Sequence, residues 1–110
     1  MPVYTQYMER YEVYFTIEVW NEGKDQCGFA TRRLHVPFQP HTNMRIKFRL
    51  GEFCFTHVVW DMTAQVFEAT AQVVAGWDDE KFLDVNYFID EFRRDEWNII
   101  HPRPRQWPHD

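Results

Sequence analysis

Strict alternation of apolar and polar side chains marks the first strong element of the chain, residues 9–20. A period of two places successive side chains on opposite faces of a β-strand. The apolar members of this segment are Val13, Phe15, Ile17 and Val19. A second segment, residues 28–38, alternates Leu34 and Val36 with Arg33 and His35 after a turn cluster at 21–25. Two strands, each with one apolar face, are therefore predicted.

The centre of the chain predicts three further antiparallel strands, over residues 44–50, 53–60 and 65–74. The first alternates basic with apolar side chains: Arg45, Ile46, Lys47, Phe48, Arg49 and Leu50. Gly51 and Glu52 fit a two-residue hairpin of type II′, which requires glycine first. Residues 64–75 also fit a helical spacing. We favour a strand, because the segment is short and follows the tight turn at 61–64.

An amphipathic helix is predicted over residues 78–94, after Gly76. Asp78 is a suitable N-cap, and Asp79 and Glu80 would place negative charge at the first turn. The apolar stripe of the helix consists of Phe82, Val85, Phe88, Ile89 and Phe92. The proline-rich tail, residues 101–110, is predicted to lie extended outside regular structure, with Trp107 as its anchor.

Together these elements predict one α+β domain over residues 1–110. Runs of strands followed by a helix are typical of that class. We expect about five antiparallel strands in a meander, as an open sheet or a small barrel, followed by one C-terminal helix. A chain of 110 residues with 45% apolar side chains can bury a core.

Charge is unevenly distributed in this chain of net charge −5. Residues 31–60 carry five basic side chains and one acidic, whereas residues 78–96 carry eight acidic and three basic. An acidic protein lacks the dominant basic surface that bulk nucleic-acid binding needs. Nucleic acid is therefore not an expected partner, although basic groups beside aromatics keep single-stranded nucleic-acid binding as an alternative.

The leading hypothesis for function is a non-catalytic protein-interaction module, such as a small accessory subunit or a homodimer. Its contact surface would be a basic strip along one sheet face with an aromatic side chain at its edge. The alternative is that Glu12 and Glu18 or the acidic helix balance these charges within the fold. The predicted basic strip consists of Arg33, His35, Arg45, Lys47, Arg49 and Trp60.

A second hypothesis is an enzyme or small-ligand binder with an acid–base pair. Pairing across the Gly51-Glu52 turn would place Ile46 opposite His57, and the turn at 61–64 would place His57 opposite Glu68. Such a pair on an apolar sheet face can have shifted pKa values and transfer protons. A purely structural hydrogen bond is the alternative, and a slip of one residue would separate the two side chains.

Several chemistries have no support in the sequence. Serine is absent and the chain does not begin with threonine, which excludes those nucleophiles. Neither metal-binding histidine spacings nor glycine-rich phosphate loops are present, so no metal and no cofactor is expected. Without a secretory signal, a membrane span or a CxxC pair, we expect a cytoplasmic protein with free thiols; a disulfide between Cys27 and Cys54 is the alternative.

Overall fold

The broad α+β class is confirmed by the computed structural model, which describes residues 11–78 and 80–108. These residues form mostly strands, with one helix among them. In chain order the elements are β1 (Tyr11–Trp20), β2 (Gln26–Val36), β3 (Arg45–Phe48), β4 (Gly51–Cys54), β5 (His57–Asp61), β6 (Val66–Val74), β7 (Gly76–Asp78), β8 (Lys81–Leu83), α1 (Val85–Arg94) and β9 (Asn98–Pro104). Within residues 64–75, which also fitted a helical spacing, the structure has the strand β6 and no helix.

Five strands form the main sheet in the order β5-β6-β1-β2-β9. The pairs β5–β6, β1–β2 and β2–β9 are antiparallel, but β1 and β6 are parallel. The predicted antiparallel meander is therefore wrong, because the chain crosses from β2 to the far side of the sheet before β5 and β6 form. The described strands do not close into a barrel: β5 and β9 lie at opposite edges.

One face of the main sheet, here called the covered face, packs beneath the β3–β4 hairpin and α1. Alternate side chains of β1 supply its centre and are fully buried, which explains why their alternation was so regular. Phe15 contacts Phe48 of β3, with ring centroids 5.5 Å apart, and Phe53 of β4 contacts Phe92 of α1 at 6.0 Å. The opposite face, called the open face, carries Tyr14 and the polar residues beside it.

The strand predicted over 53–60 is two strands in two different sheets. Among the described strands, β4 pairs with β3 alone and β5 with β6 alone. Between them, the backbone N–H of Phe55 still donates to Met44 O of the hairpin, whereas that of Thr56 donates to Thr70 O of β6. The chain therefore changes sheet between Phe55 and Thr56.

The hairpin turn also differs from its prediction. Phe48 pairs with Gly51 and Ile46 with Phe53, so Arg49 and Leu50 form the turn. Gly51 follows the turn with φ of 151°, a backbone conformation that suits glycine. The predicted pairing of Ile46 with His57 is consequently wrong.

The helix begins later than predicted. Residues 76–83 include the short β7–β8 hairpin, in which Trp77 pairs with Phe82. Asp84 is the N-cap, and its Oδ1 accepts a hydrogen bond of 2.8 Å from the Tyr87 backbone N–H. Asp78 is therefore not the cap, and Asp79 lies outside the described residues. The pattern missed this boundary because an aspartate stands at both positions.

The tail contains a strand, contrary to the prediction. β9 tolerates Pro102 and Pro104 because it is an edge strand. Its pairing with β2 shifts register between Cys27 and Phe29, where Gly28 lies close to Pro102. Beyond the strand, the Trp107 ring contacts Trp20 at a centroid distance of 4.8 Å. Residues 109–110 of the predicted tail, and residues 9–10 of the first predicted strand, lie outside the described residues.

Candidate functional site

The predicted basic strip is divided between different surfaces. Arg33 and His35 belong to β2, opposite Tyr14 and Glu12 of β1 on the open face. Arg45 and Lys47 lie on the β3–β4 hairpin, which packs over the covered face. The pattern grouped these residues because it assumed that residues 44–50 pair with β2. The hairpin instead pairs within itself and forms a separate layer.

Acidic side chains of the same chain contact three of the predicted basic residues. Arg49 Nε lies 2.7 Å from Asp95 Oδ1, and its NH2 group lies 3.3 Å from Glu91 Oε1. The hydrogen bond that Arg49 Nε donates to the Asp95 carboxylate is the main reason that the pKa of Arg49 is raised.

Arg33 and Arg45 make similar exposed pairs, Arg33 with Glu12 at 3.4 Å and Arg45 with Glu52 at 3.1 Å. Exposed ion pairs of this kind contribute little to stability. These ion pairs do neutralise the basic side chains locally. This agrees with the alternative interpretation of the strip, in which Glu12 and the acidic helix balance its charge within the fold.

Trp60 lies away from Arg33 and His35. Its strand neighbour across β5–β6 is Phe67, with ring centroids 4.8 Å apart, and its Nε1–H donates to Met62 Sδ at 3.0 Å. Phe67 packs against the covered-face core. Trp60 therefore sits at the margin of the covered face rather than at the edge of a basic surface.

The predicted His57–Glu68 pair is not directly opposed. His57 lies opposite Thr70, and Glu68 lies opposite Val59, so the two are diagonal neighbours on the open face. Both side chains are exposed, whereas Phe55 is fully buried in the core on the other side. The expected apolar surroundings are therefore absent from this described part of the open face.

The error in register comes from the loop after β5. Asp61 is the last strand residue, and its Oδ1 accepts hydrogen bonds from the backbone N–H groups of Thr63 and Ala64, at 2.9 and 3.0 Å. This local capping moves the four-residue loop to 62–65, one position later than predicted.

The two edges of the main sheet differ in a way that the sequence pattern did not reveal. β9 carries two prolines and a register shift, features that prevent a further strand from pairing. β5 is His57-Val-Val-Trp-Asp61, without proline, lysine or arginine. Within the described residues, β6 is its only strand neighbour. None of the other described strands pairs with its outer edge.

Apolar side chains lie exposed beside that edge. Val59, Trp60 and Met62, here called the β5 patch, are 54%, 45% and 77% exposed. Val59 lies on the open face and Trp60 on the covered-face side, so the patch borders the edge on both faces. The sequence does contain a signal for this patch. Val58, Val59 and Trp60 are three consecutive β-branched or aromatic residues, with no positive charge or proline among them.

Other chemical groups are few. No cluster of histidine, cysteine and acidic side chains suited to a metal occurs within residues 11–78 and 80–108. Both cysteines have free thiols, so the alternative of a disulfide is wrong. Burial, followed by the Glu18 carboxylate, raises the pKa of the Cys27 thiol to about 11, which leaves little reactive thiolate at neutral pH.

No helix in the described part of the chain is long and apolar enough to cross a membrane. Comparison with known proteins adds no relative: no family model matches the chain, and neither curated proteins nor solved structures give a significant match. Any statement about function therefore depends on the surfaces of this fold.

Proposed function

We propose that the protein is a non-catalytic protein-interaction module whose contact surface is the outer edge of β5 together with the β5 patch. The observation that supports this proposal is the difference between the two sheet edges. Pro102 and Pro104 blunt β9, whereas β5 has no such residue. Proteins usually protect exposed strand edges with charges, prolines or bulges. The acidic residue of β5, Asp61, stands at the end of the strand, so the middle of this edge is suited to a partner.

Strand addition would use both parts of this surface. Backbone N–H and C=O groups along the edge supply hydrogen bonds to an incoming extended segment, and the side chains beside it supply specificity. Tryptophan and methionine are enriched in protein interfaces relative to other surfaces, and Trp60 and Met62 are the larger members of the β5 patch. A five-residue strand is of ordinary length for such pairing.

This proposal keeps the class of function predicted from the sequence and changes the surface. Of the predicted strip, only Trp60 belongs to the β5 patch. Arg33, Arg45 and Arg49 are engaged by acidic side chains of the chain itself, and they lie on separate layers. A partner would meet them singly rather than as one charged strip.

The test compares variants at the two sheet edges. Val59→Lys places a charge in the middle of β5, whereas Ile100→Lys makes the matched change on β9, where the side chain is 49% exposed. Wild-type and variant domains are used to capture partners from the native lysate, after equal thermal stability has been verified. We expect Val59→Lys to lose capture and Ile100→Lys to retain it.

A third variant tests the original surface. The triple change Arg45→Glu, Lys47→Glu and Arg49→Glu reverses the basic side chains of the hairpin and its turn. If this variant loses capture while Val59→Lys captures partners normally, the contact surface is the predicted basic strip. That result would refute the proposal that partners bind at the β5 edge.

A further inference from the structure

We infer that Met62 is a site of reversible oxidation by hydroperoxides, and that Trp60 determines which of the two sulfoxide epimers forms. Met62 is 77% exposed, the largest exposed fraction among the large apolar side chains of the described residues. Its sulfur is held by a neighbouring indole, because the Trp60 Nε1–H donates to Met62 Sδ at 3.0 Å. The oxidation itself is independent of the proposed function, whereas its effect on binding rests on that function.

Met62 is far more accessible to an oxidant than the other described methionine. Met44 is partly buried and packs against the core of the covered face. A peroxide has to reach the sulfur atom itself, so packing of this kind slows the reaction. Met62 instead begins the loop after β5, which Asp61 Oδ1 holds by accepting from the backbone N–H groups of Thr63 and Ala64. The thioether is therefore presented to solvent from a fixed turn.

The reaction at Met62 is a two-electron oxygen transfer. A lone pair of Sδ attacks the terminal oxygen of the hydroperoxide, the O–O bond breaks and an S–O bond forms. The proton of the transferred oxygen passes to the departing oxygen, which leaves as water or an alcohol. Sulfur is oxidised and the peroxide is reduced, and methionine sulfoxide reductases return the product to methionine.

The indole contact makes the two lone pairs of the Met62 sulfur unequal. The Trp60 N–H uses one of them as its hydrogen-bond acceptor, so a peroxide meets the other. The indole is itself held against Phe67, with ring centroids 4.8 Å apart. Each lone pair leads to a different sulfoxide epimer, and a separate reductase acts on each. One epimer should exceed the other by about threefold, a ratio that a weak hydrogen bond supports.

Oxidation of Met62 changes the chemistry of the β5 patch. A methionine side chain is flexible and apolar, whereas its sulfoxide is polar. Met62 is the most exposed of the three members of the patch. A partner that binds the β5 edge through this patch should therefore bind the oxidised chain more weakly and bind again after reduction.

Mass spectrometry of tryptic peptides, after timed treatment of the folded chain with hydrogen peroxide, tests the site. Residues 50–81 contain Met62 as their only methionine, and residues 34–45 contain only Met44. A Cys54→Ala background removes the exposed thiol from the first peptide. We expect Met62 to gain one oxygen roughly tenfold faster than Met44, and the difference to vanish in a chain unfolded in guanidinium chloride. Equal rates in the folded chain would overturn the inference.

Trp60→Phe is the matched variant for the epimer preference. It keeps an aromatic ring beside Phe67 and removes the N–H that donates to Met62. Peroxide-treated wild type and variant are digested and exposed to each stereospecific reductase in turn, and the remaining sulfoxide is measured by mass. We expect unequal epimers in the wild type and equal epimers in Trp60→Phe. Equal epimers in both chains, or the same excess in both, would overturn the role of Trp60.

Partner capture from the native lysate measures the effect on binding, with Met62→Leu as an apolar control that peroxide does not oxidise. We expect peroxide to weaken capture by the wild type, the two reductases to restore it, and Met62→Leu to capture equally before and after treatment. If both chains respond alike, oxidation of Met62 does not control binding, whereas the β5 edge keeps its proposed function as long as Val59→Lys loses capture. If Met62 is oxidised selectively but Val59→Lys captures normally, the oxidation site is confirmed and the proposed function is refuted.

Discussion

Replacing Gly28 by alanine should detach β9 from the main sheet. An added Cβ at this position would lie 2.9 Å from the backbone oxygen of Ile100, 3.1 Å from Pro102 N and 3.2 Å from Pro102 Cδ. These atoms belong to the backbone and to a rigid ring, so no side-chain rotation relieves the contact. The extra residue that β9 contains here, at the register shift, leaves no room beside Gly28.

The expected cost follows from comparable overpacking. One extra methyl group in a tightly packed site typically destabilises a protein by roughly 1–3 kcal/mol. For a chain of this size, each kcal/mol corresponds to about 4–8 °C in the melting temperature. We therefore expect Gly28→Ala to lower the melting temperature by roughly 4–24 °C. Because Trp20 and Trp107 meet just beyond this contact, their near-UV circular dichroism should weaken as well.

Gly76→Ala is the matched control, because no atom in the described part of the chain lies within 4 Å of its added Cβ. Urea and thermal unfolding of both variants, followed by circular dichroism, measure the difference. Restricting the unfolded chain should leave the control unchanged or more stable by about 0.4–1 kcal/mol. Equal stability of the two variants would refute the close packing of Gly28 against β9.

Two further predictions concern the helix cap and the buried thiol. Asp84→Ala should lower the free energy of unfolding by about 1 kcal/mol and speed hydrogen exchange at the Tyr87 amide. Asp84→Ser should keep most of the stability, because serine is also a good N-cap. Equal stability of the two variants would contradict the role of Asp84 as the N-cap. The raised pKa of Cys27, about 11 against 9.0, means that the unfolded chain deprotonates first, so stability should fall as pH rises from about 9 to about 11. Urea unfolding should show this loss in the wild type and a smaller one in Cys27→Ala; equal slopes would contradict it.

The strands that the sequence predicts well are those with one consistently buried face. The bounds of β1, β2 and β6 were predicted to within a few residues. Burial of alternate side chains requires an alternation of apolar and polar residues, and this alternation is visible in the sequence. The split of residues 53–60 is harder to predict. Both halves alternate, and only the exchange of hydrogen bonds between Phe55 and Thr56 separates them.

Pairing between strands that are distant in the chain produces no such local pattern in the sequence. β6 joins β1 in parallel across the whole intervening chain, and nothing in either segment specifies its partner or direction. The grouping of Arg33 with Arg45 failed for this reason, since it assumed that consecutive strands pair. Trp60 belonged to the predicted strip, but its surroundings depend on Phe67 and Met62, which the basic-strip hypothesis did not include.

The parallel β1–β6 pair has a consequence for synthesis of the chain. The β1–β2 hairpin can form as soon as residues near 36 emerge from the ribosome, but the second neighbour of β1 is complete only near residue 74. During that interval one edge of β1, a strongly apolar strand, is unpaired, which favours aggregation. Folding should therefore be limited by the docking of a late β5–β6 hairpin onto an early β1–β2 hairpin, a step of high contact order.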